Sequence, residues 1–439
     1  MSNSENPGIV AIVGRANVGK SSLFNAILGR RETIVAVEPG TTRDSIAVKA
    51  SWEDKDFWLV DTAGLKAAND DFELTIQDQI SEAASSADLI IVVCSADVPP
   101  TNEDRRVATL ALKSRRPVIL AVNKIDVNPS AELSDWRQLG IKQAVAISAI
   151  HKTGLEELLN TISSDLPTKR ISEAQDRIRV GVLGRPNVGK SALFNSLAKK
   201  QQAIVADLAG TTRDVNRTTI RFKGREIELA DTAGIRRSGK IERGVEHFSV
   251  LRSLAVIEQA DICLLLMDVN ELNVQLDQKI AGLIKDAGKG LILVVSKWDT
   301  AEKDAYTRDS LAPKIAGAFE FVPWAPLIFT SAVSGQNVAK LFDLILEIDQ
   351  VRQQRFQTAE LNRWLEQAVD EHPPAGLRGR TPKLNYVVQE SGTGLPSFKV
   401  FGAHTKFLHW SYKRYLERKF RERWPLTGTP LKFWFIEKH

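Results

Sequence analysis

Five short, almost unbroken apolar runs mark the first part of the chain: Ile9–Val13, Phe57–Val60, Leu89–Cys94, Val118–Val122 and Ala144–Ile147. Stretches of helical pattern separate them. A run that is apolar at successive positions is buried on both faces, so the pattern predicts parallel strands with helices on each side of one sheet. The same succession returns as Arg179–Leu183, Ile227–Ala230, Ile262–Met267, Leu291–Val295 and Pro326–Phe329. The predicted fold class is α/β, with two doubly wound sheets in tandem. A helical pattern from Leu341 to Arg355 closes the second, and a new composition begins near Gln354. There tryptophan and arginine recur among the strand-like runs Leu384–Val388, Phe398–Phe401 and Leu431–Phe435. His409–Arg421 has helical spacing, with Trp410, Lys413, Leu416 and Phe420 recurring on one side, and those large residues are expected in a core. The expected domains are residues 7–168, 177–353 and an α+β tail, 354–439, with the polar segment Thr168–Arg177 as the first linker.

The two predicted sheets are copies. Gly14-Arg15-Ala16-Asn17-Val18-Gly19-Lys20-Ser21 returns as Gly184-Arg185-Pro186-Asn187-Val188-Gly189-Lys190-Ser191, at an offset of 170 residues. The same offset carries Gly40–Asp44 onto Gly210–Asp214, and Asp61-Thr62-Ala63-Gly64 onto Asp231-Thr232-Ala233-Gly234. Further on, Asn123-Lys124-Ile125-Asp126 answers to Ser296-Lys297-Trp298-Asp299, and Ser148-Ala149 to Ser331-Ala332. Nearly every motif follows a predicted strand. Ligands of open α/β sheets bind there, outside the carboxyl ends of the strands.

Both octets fit G-x-x-x-x-G-K-[ST] between a strand and a helix, the context of a phosphate-binding loop. Small residues let successive N–H groups turn onto phosphate oxygens, and Ser22 and Ala192 complete the expected contacts. Lys20 and Lys190 reach the terminal phosphates, while Ser21 and Ser191 are candidate Mg2+ ligands. Asp61 and Asp231 are expected to hold Mg2+ through water, and the N–H groups of Gly64 and Gly234 to bond the γ-phosphate. Thr42 and Thr212 are expected to close over Mg2+ while that phosphate is present, which makes their segments and those around Gly64 and Gly234 nucleotide switches.

The base is set by a carboxylate. Guanine offers N1–H and a 2-amino group as two adjacent donors, and adenine does not, so Asp126 and Asp299 predict GTP and GDP as ligands. Asn123 is expected to donate to N7, the Lys124 stem to cover the ring, and the amide near Ala149 to meet O6. Ser296, standing where the first copy has Asn123, is expected to cost the second site about 1 kcal/mol. Ala209, in place of Pro39, is expected to loosen the second switch by freeing a fixed φ. After the DTAG motifs come Leu65 and Ile235, whose aliphatic side chains cannot orient an attacking water. The following segments differ in charge: Asp70, Asp71 and Glu73 in the first copy, Arg236, Arg237 and Lys240 in the second.

Composition narrows the picture. The 439 residues are 43% apolar and 26% charged, the balance of globular domains. No apolar run approaches the ~20 residues that span a bilayer, and Met1–Asn6 is polar, so neither a membrane span nor a signal peptide is expected. Cys94 and Cys263 lie in apolar runs and are expected to be buried thiols of a reducing, cytoplasmic setting. Net charge is +5, but Val351–His439 carries 16 Lys+Arg against 8 Asp+Glu, a surplus of eight that leaves −3 for residues 1–350. A basic tail suggests a polyanionic partner, with Lys413, Arg414, Arg418, Lys419, Arg421 and Arg423 as candidate phosphate contacts. Gly376-Leu377-Arg378-Gly379 spells a GXXG clamp but precedes the first tail strand instead of joining two helices.

Together the paired GRxNVGKS loops, GTTRD, DTAG, N/SKxD and the Ser411–Glu417 segment of the tail resemble the bacterial double-GTPase family Der, also called EngA. The resemblance covers essentially the whole chain. It implies two GTPase domains packed on a KH-like domain, hydrolysis of GTP to GDP and phosphate, and a role with the large ribosomal subunit and its rRNA. A monomer is expected. GTPases with an aliphatic residue after DTAG and asparagine at positions 17 and 187 are similar to the potassium-activated class, which implies K+ at Asn17 and Asn187 beside Mg2+. An alternative is a nucleotide-gated RNA- or ribosome-binding scaffold with only one catalytically useful site. A tRNA-modification GTPase is set aside, because that family has one GTPase domain and a C-terminal cysteine, whereas no cysteine follows Cys263.

Overall fold

The apolar runs become strands in the computed structural model, which describes residues 7–30, 34–35, 47–53, 55–62, 80, 83, 86–167, 177–200, 216–231, 250–272, 274–301, 307–375, 380–392 and 394–438. The chain divides into two compact bodies, residues 1–173 with 247–258, and 174–246 with 259–439. The linker expected over 168–177 lies almost wholly outside the described residues, as do the four residues of the GXXG spelling.

In the first body the order is β1 (Gly8–Val13), α1 (Lys20–Leu28), β2 (Ile34–Val35), β3 (Ala47–Trp52), β4 (Lys55–Asp61), β5 (Leu89–Ser95), α2 (Asn102–Lys113), β6 (Val118–Asn123), β7 (Gln143–Ala146) and α3 (Leu155–Asp165). The seven-stranded sheet runs β2-β3-β4-β1-β5-β6-β7. Strands β4, β1, β5, β6 and β7 pair in parallel, and β2 and β3 add an antiparallel edge. That edge departs from the expected all-parallel sheet. The chain leaves β1 toward β4 on one side and β5 on the other, so the crevice of the sheet opens at the carboxyl end of β1. Val10, Ile12, Leu59 and Ile91 on one face pack against Leu23 and Ile27 of α1 and Leu158 and Ile162 of α3, all buried. Each such side chain contributes about 1.5–3 kcal/mol of apolar burial.

The second repeat continues with β8 (Arg177–Gly184), α4 (Lys190–Lys200), β9 (Asn216–Phe222), β10 (Arg225–Asp231), α5 (Val250–Gln259), β11 (Ile262–Asp268), α6 (Gln275–Asp286), β12 (Gly290–Ser296), α7 (Thr307–Ala318), β13 (Leu327–Phe329) and α8 (Val338–Arg352). Its sheet runs β13-β12-β11-β8-β10-β9, again with one antiparallel edge strand. Helix α5 belongs to this repeat by sequence, yet its residues through Glu258 group with the first body. There the buried Trp58 indole N–H donates to Glu258 Oε1 at 2.5 Å. Cys94 and Cys263 are both buried free thiols, and burial pushes Cys94 upward out of the reactive range.

The tail is α9 (Thr358–Glu371), β14 (Lys383–Gln389), β15 (Ser397–Ala403), α10 (Trp410–Arg423) and β16 (Lys432–Glu437). Its sheet is β14-β15-β16, antiparallel then parallel, with both helices packed on it through Leu361, Trp364, Leu365, Phe398, Leu416 and Phe420. The expected core stripe of α10 is shifted. Tyr412, Leu416 and Phe420, at i, i+4 and i+8, are buried, whereas Trp410 is 43% exposed. Two of the six expected phosphate contacts are also otherwise committed. Arg421 turns inward to Glu417 and the Thr429 carbonyl, and Lys419 pairs with Glu371 and Glu422.

Tail and second repeat are joined away from the chain connection at residue 354. Gly428 N–H donates to Trp324 O at 2.7 Å, and Leu291 N–H donates to Gly428 O at 2.9 Å. Gly428 has φ +65, and an added Cβ would lie 2.2 Å from Ile348 Cδ1. Valine there combines backbone strain with overpacking, at about 1–3 kcal/mol. We expect Gly428→Val to loosen this joint, so that trypsin cuts after Arg355 faster than in the parent chain. An unchanged cleavage rate would show that the loop does not hold the tail.

Candidate nucleotide sites

The signature residues gather where the sheet opens. Gly14 follows β1, Asp61 ends β4, Asn123 ends β6 and Ser148 lies two residues beyond β7. Asn17 has φ 64 and Gly19 φ 93, while Asn187 and Gly189 have φ 62 and 92, so the two loops share one backbone shape. Asparagine tolerates the left-handed region better than other side chains, which gives Asn17 and Asn187 a backbone reason to be there. Gly19 caps α1 without a side-chain acceptor, leaving the first-turn N–H groups to an anion. Lys20 is buried, which lowers its pKa, and its ammonium donates to Gly14 O at 2.8 Å and Arg15 O at 2.7 Å. Lys190 donates to Arg185 O at 2.5 Å. These carbonyls hold the cation where phosphate oxygens would take it.

Ser21 Oγ donates to Asp61 Oδ2 at 2.6 Å, and Thr62 Oγ1 fixes the strand end by donating to Ile12 O at 2.6 Å. A hydroxyl and a carboxylate side by side form the hard oxygen set that Mg2+ takes, so the residues present fit that ion. Thr42, Ala63, Gly64, Leu65, Thr212, Thr232, Ala233, Gly234, Ile235 and the Asp231 side chain lie outside the described residues, as do Pro39, Ala209 and the segments of contrasting charge after each DTAG.

At the base end, Asn123 is a brace. Its Nδ2 donates to Val18 O at 2.9 Å, and its Oδ1 accepts from Ala149 N–H at 3.0 Å, tying the phosphate loop to the loop after β7. The amide expected to meet O6 is thus committed to Asn123. Ser296 keeps only one arm of this brace: its hydroxyl lies 2.6 Å from Val188 O and 3.0 Å from Met267 O. The shorter side chain also leaves space. A Cβ on Gly19 would meet Asn123 Nδ2, whereas one on Gly189 would meet nothing within 4 Å.

Lys124 and Lys297 both have positive φ, and their ammonium groups are held by Asp97 at 3.0 Å and Asp268 at 2.7 Å. Each stem is thereby stretched across the base seat. A hydrogen bond from the Ser148 hydroxyl holds the Asp126 carboxyl below the usual carboxylate range, aided by His151 at 3.8 Å. It is ionised at neutral pH, ready for two donors. Ile150 and Val333, one residue beyond the Ser-Ala pairs, are 74% and 86% exposed and leave an apolar rim at equivalent places in both copies. Sequence inspection missed them, and it missed Asp97 and Asp268. The signal available for all four was their shared place after strands or motifs already paired between the copies.

A family model described as 50S ribosome-binding GTPase matches residues 9–124 and 179–297, and one described as KH-domain-like of EngA bacterial GTPase enzymes, C-terminal, matches 355–435. The chain is therefore of the class of P-loop GTPases with tandem nucleotide domains and a KH-like tail, enzymes that hydrolyse GTP. GTPase Der of Chloroflexus aggregans is 42% identical over 433 residues, with 96% of each chain covered, and GTPase Der of Thermomicrobium roseum is 40% identical, with 98% of this chain and 96% of that one covered. This chain belongs to the GTPase Der family. Membership favours the hydrolase over the scaffold alternative. Among solved structures, the G domain of the T. maritima FeoB iron transporter matches at 27% identity over 36% of this chain and 99% of that one, with a TM-score of 0.27. Among the described residues no helix is long and apolar enough to cross a membrane.

Proposed function

We propose that the chain is a cytoplasmic, monomeric switch that uses GTP binding and hydrolysis to change its hold on the large ribosomal subunit and its rRNA during assembly. The observation that carries this reading is the joint at Gly428, which fixes a basic helix to a nucleotide-binding repeat. Lys413, Arg414, Arg418 and Arg423 are exposed along α10, and Arg414 lies 4.8 Å over the exposed Trp410 ring. Cations beside an open aromatic face suit phosphate and an unstacked base. The description of the matching family model, 50S ribosome-binding GTPase, agrees with a ribosomal partner.

In each site the loop amides and Lys20 or Lys190 bind the β- and γ-phosphates, while Asp126 or Asp299 reads the base. Ser21 and Ser191 would hold Mg2+ directly and Asp61 and Asp231 through water, the ion would supply charge that offsets the phosphates, and Thr42 and Thr212 would add to its ligands while the γ-phosphate is bound. Asn17 and Asn187 are exposed on the rim of each loop and would hold K+, which would supply the positive charge that an arginine supplies in other GTPases. Loss of one such charge-stabilising contact lowers turnover by about 10²–10³-fold. The test is GTPase rate in K+ and in Na+, with cosedimentation on large ribosomal subunits in GTP and in GDP. Faster turnover in K+ and nucleotide-dependent pelleting are expected. Equal rates would remove Asn17 and Asn187 as K+ ligands, and pelleting that ignores the nucleotide would sink the switch.

A further inference from the structure

The second residue of each phosphate loop is an arginine that neither the base nor the phosphates require, yet both arginines are drawn inward. Arg185 is 8% exposed, and its Nε lies 3.1 Å from each carboxylate oxygen of Asp277, a residue with no exposed surface. Its Nη1 and Nη2 reach Glu271 Oε2 and Glu271 O, each at 2.8 Å. Arg15 repeats the arrangement with one carboxylate, its Nε 3.3 Å from Asp104 Oδ1. Asp104 and Asp277 are each the third residue of their helices, α2 and α6. Two chance ion pairs would not share a loop position and a helix position.

A fully buried carboxylate is costly unless a partner compensates it, and burial, with the nearby charge of Glu271, pushes Asp277 up to about 6 against the pull of Arg185. With the guanidinium gripped from outside the loop, the arginine carbonyl faces inward. That carbonyl accepts the lysine ammonium, Lys20 on Arg15 O and Lys190 on Arg185 O. We propose that Asp104 and Asp277 are positioning residues for GTP hydrolysis: each grips the loop arginine so that its carbonyl parks the lysine ammonium where the incoming phosphates collect it. They touch neither nucleotide nor metal. The second loop is gripped by two carboxylates and the first by one, so the copies differ in how firmly the lysine is pre-placed.

Asp277 is the cleaner place to test this. Asp104 also forms the capping box of α2 with Thr101, so its loss would weaken the helix as well, whereas α6 has no side-chain cap. The experiment uses the full chain with Lys20→Ala and Asp126→Ala together, to silence the phosphate and base seats of the first site, and compares Asp277→Ala and Asp277→Asn in that parent for affinity toward GTP and toward guanosine, with thermal melting alongside. Guanosine engages only the base seat. The expected result is guanosine affinity within twofold of the parent, with the advantage of GTP over guanosine falling tenfold or more and turnover falling with it. Should the alanine chain not fold, the asparagine chain, which keeps the shape and loses the charge, decides alone. Equal loss of both affinities, or a GTP advantage left intact in the folded variant, would overturn the assignment.

Discussion

We expect Lys20→Ala to lower GTP turnover at the first site by about 10²–10³-fold and to leave the second site working, and Lys190→Ala to do the converse. The ammonium is the cation of each loop placed to follow the terminal phosphates, and it already sits within hydrogen-bond distance of loop carbonyls. Loss of one preorganised donor to the transferring phosphoryl group lowers turnover by about 10²–10³-fold. Burial lowers the Lys20 pKa, while the negative charge of Asp61 favours the ammonium. Alanine also leaves the Gly14 and Arg15 carbonyls without their donor, so melting must be recorded with single-turnover hydrolysis. A variant that melts as the parent does and still hydrolyses at both sites would refute the assignment.

Asp126→Asn turns the first site from guanine toward xanthine. The ionised carboxylate accepts from N1–H and from the 2-amino group, and an asparagine amide would set its own NH2 against that amino group. A site that hydrogen-bonds its base rejects one that leaves those groups unpaired. Xanthine carries a carbonyl at C2, which an amide can serve as donor. Competition of GDP and xanthosine diphosphate for the variant, with Lys190→Ala and Asp299→Ala to silence the phosphate and base seats of the second site, should show guanine affinity lost and xanthine affinity gained. Retained GDP binding with no xanthine gain would mean that Asp126 does not read the base.

Much of this architecture is visible in the chain itself, because the strands that carry the motifs are apolar on both faces and the motifs lie directly after them. What escaped has a common cause. Ala47–Trp52 and Asn216–Phe222 interleave lysine, arginine, serine and threonine with apolar residues, so the antiparallel edges do not stand out as buried runs. Asp104 and Asp277 meet their arginines across 89 and 92 residues, a distance that no local periodicity spans. Trp410 was placed in the core by its spacing, but Tyr412 defines the inward face two residues on, because it stacks with His372 and donates to the His372 carbonyl. Asn123 was assigned to the base from its motif alone. Its part in joining two loops depends on a fold that brings Val18 and Ala149 to either side of it.

The stitch at Gly428 also has a mechanical consequence. A peptide linkage at residue 354 by itself would leave the tail free to swivel about a few torsions. Two backbone hydrogen bonds, made far from that linkage and locked by Ile348 against a glycine with no side chain, remove those rotations. The tail is thereby tied to the second repeat at a second place besides the chain itself. A displacement of that repeat of a given angle is carried rigidly to Lys413, Arg414 and Arg418, and the length of α10 sets how far its basic end travels.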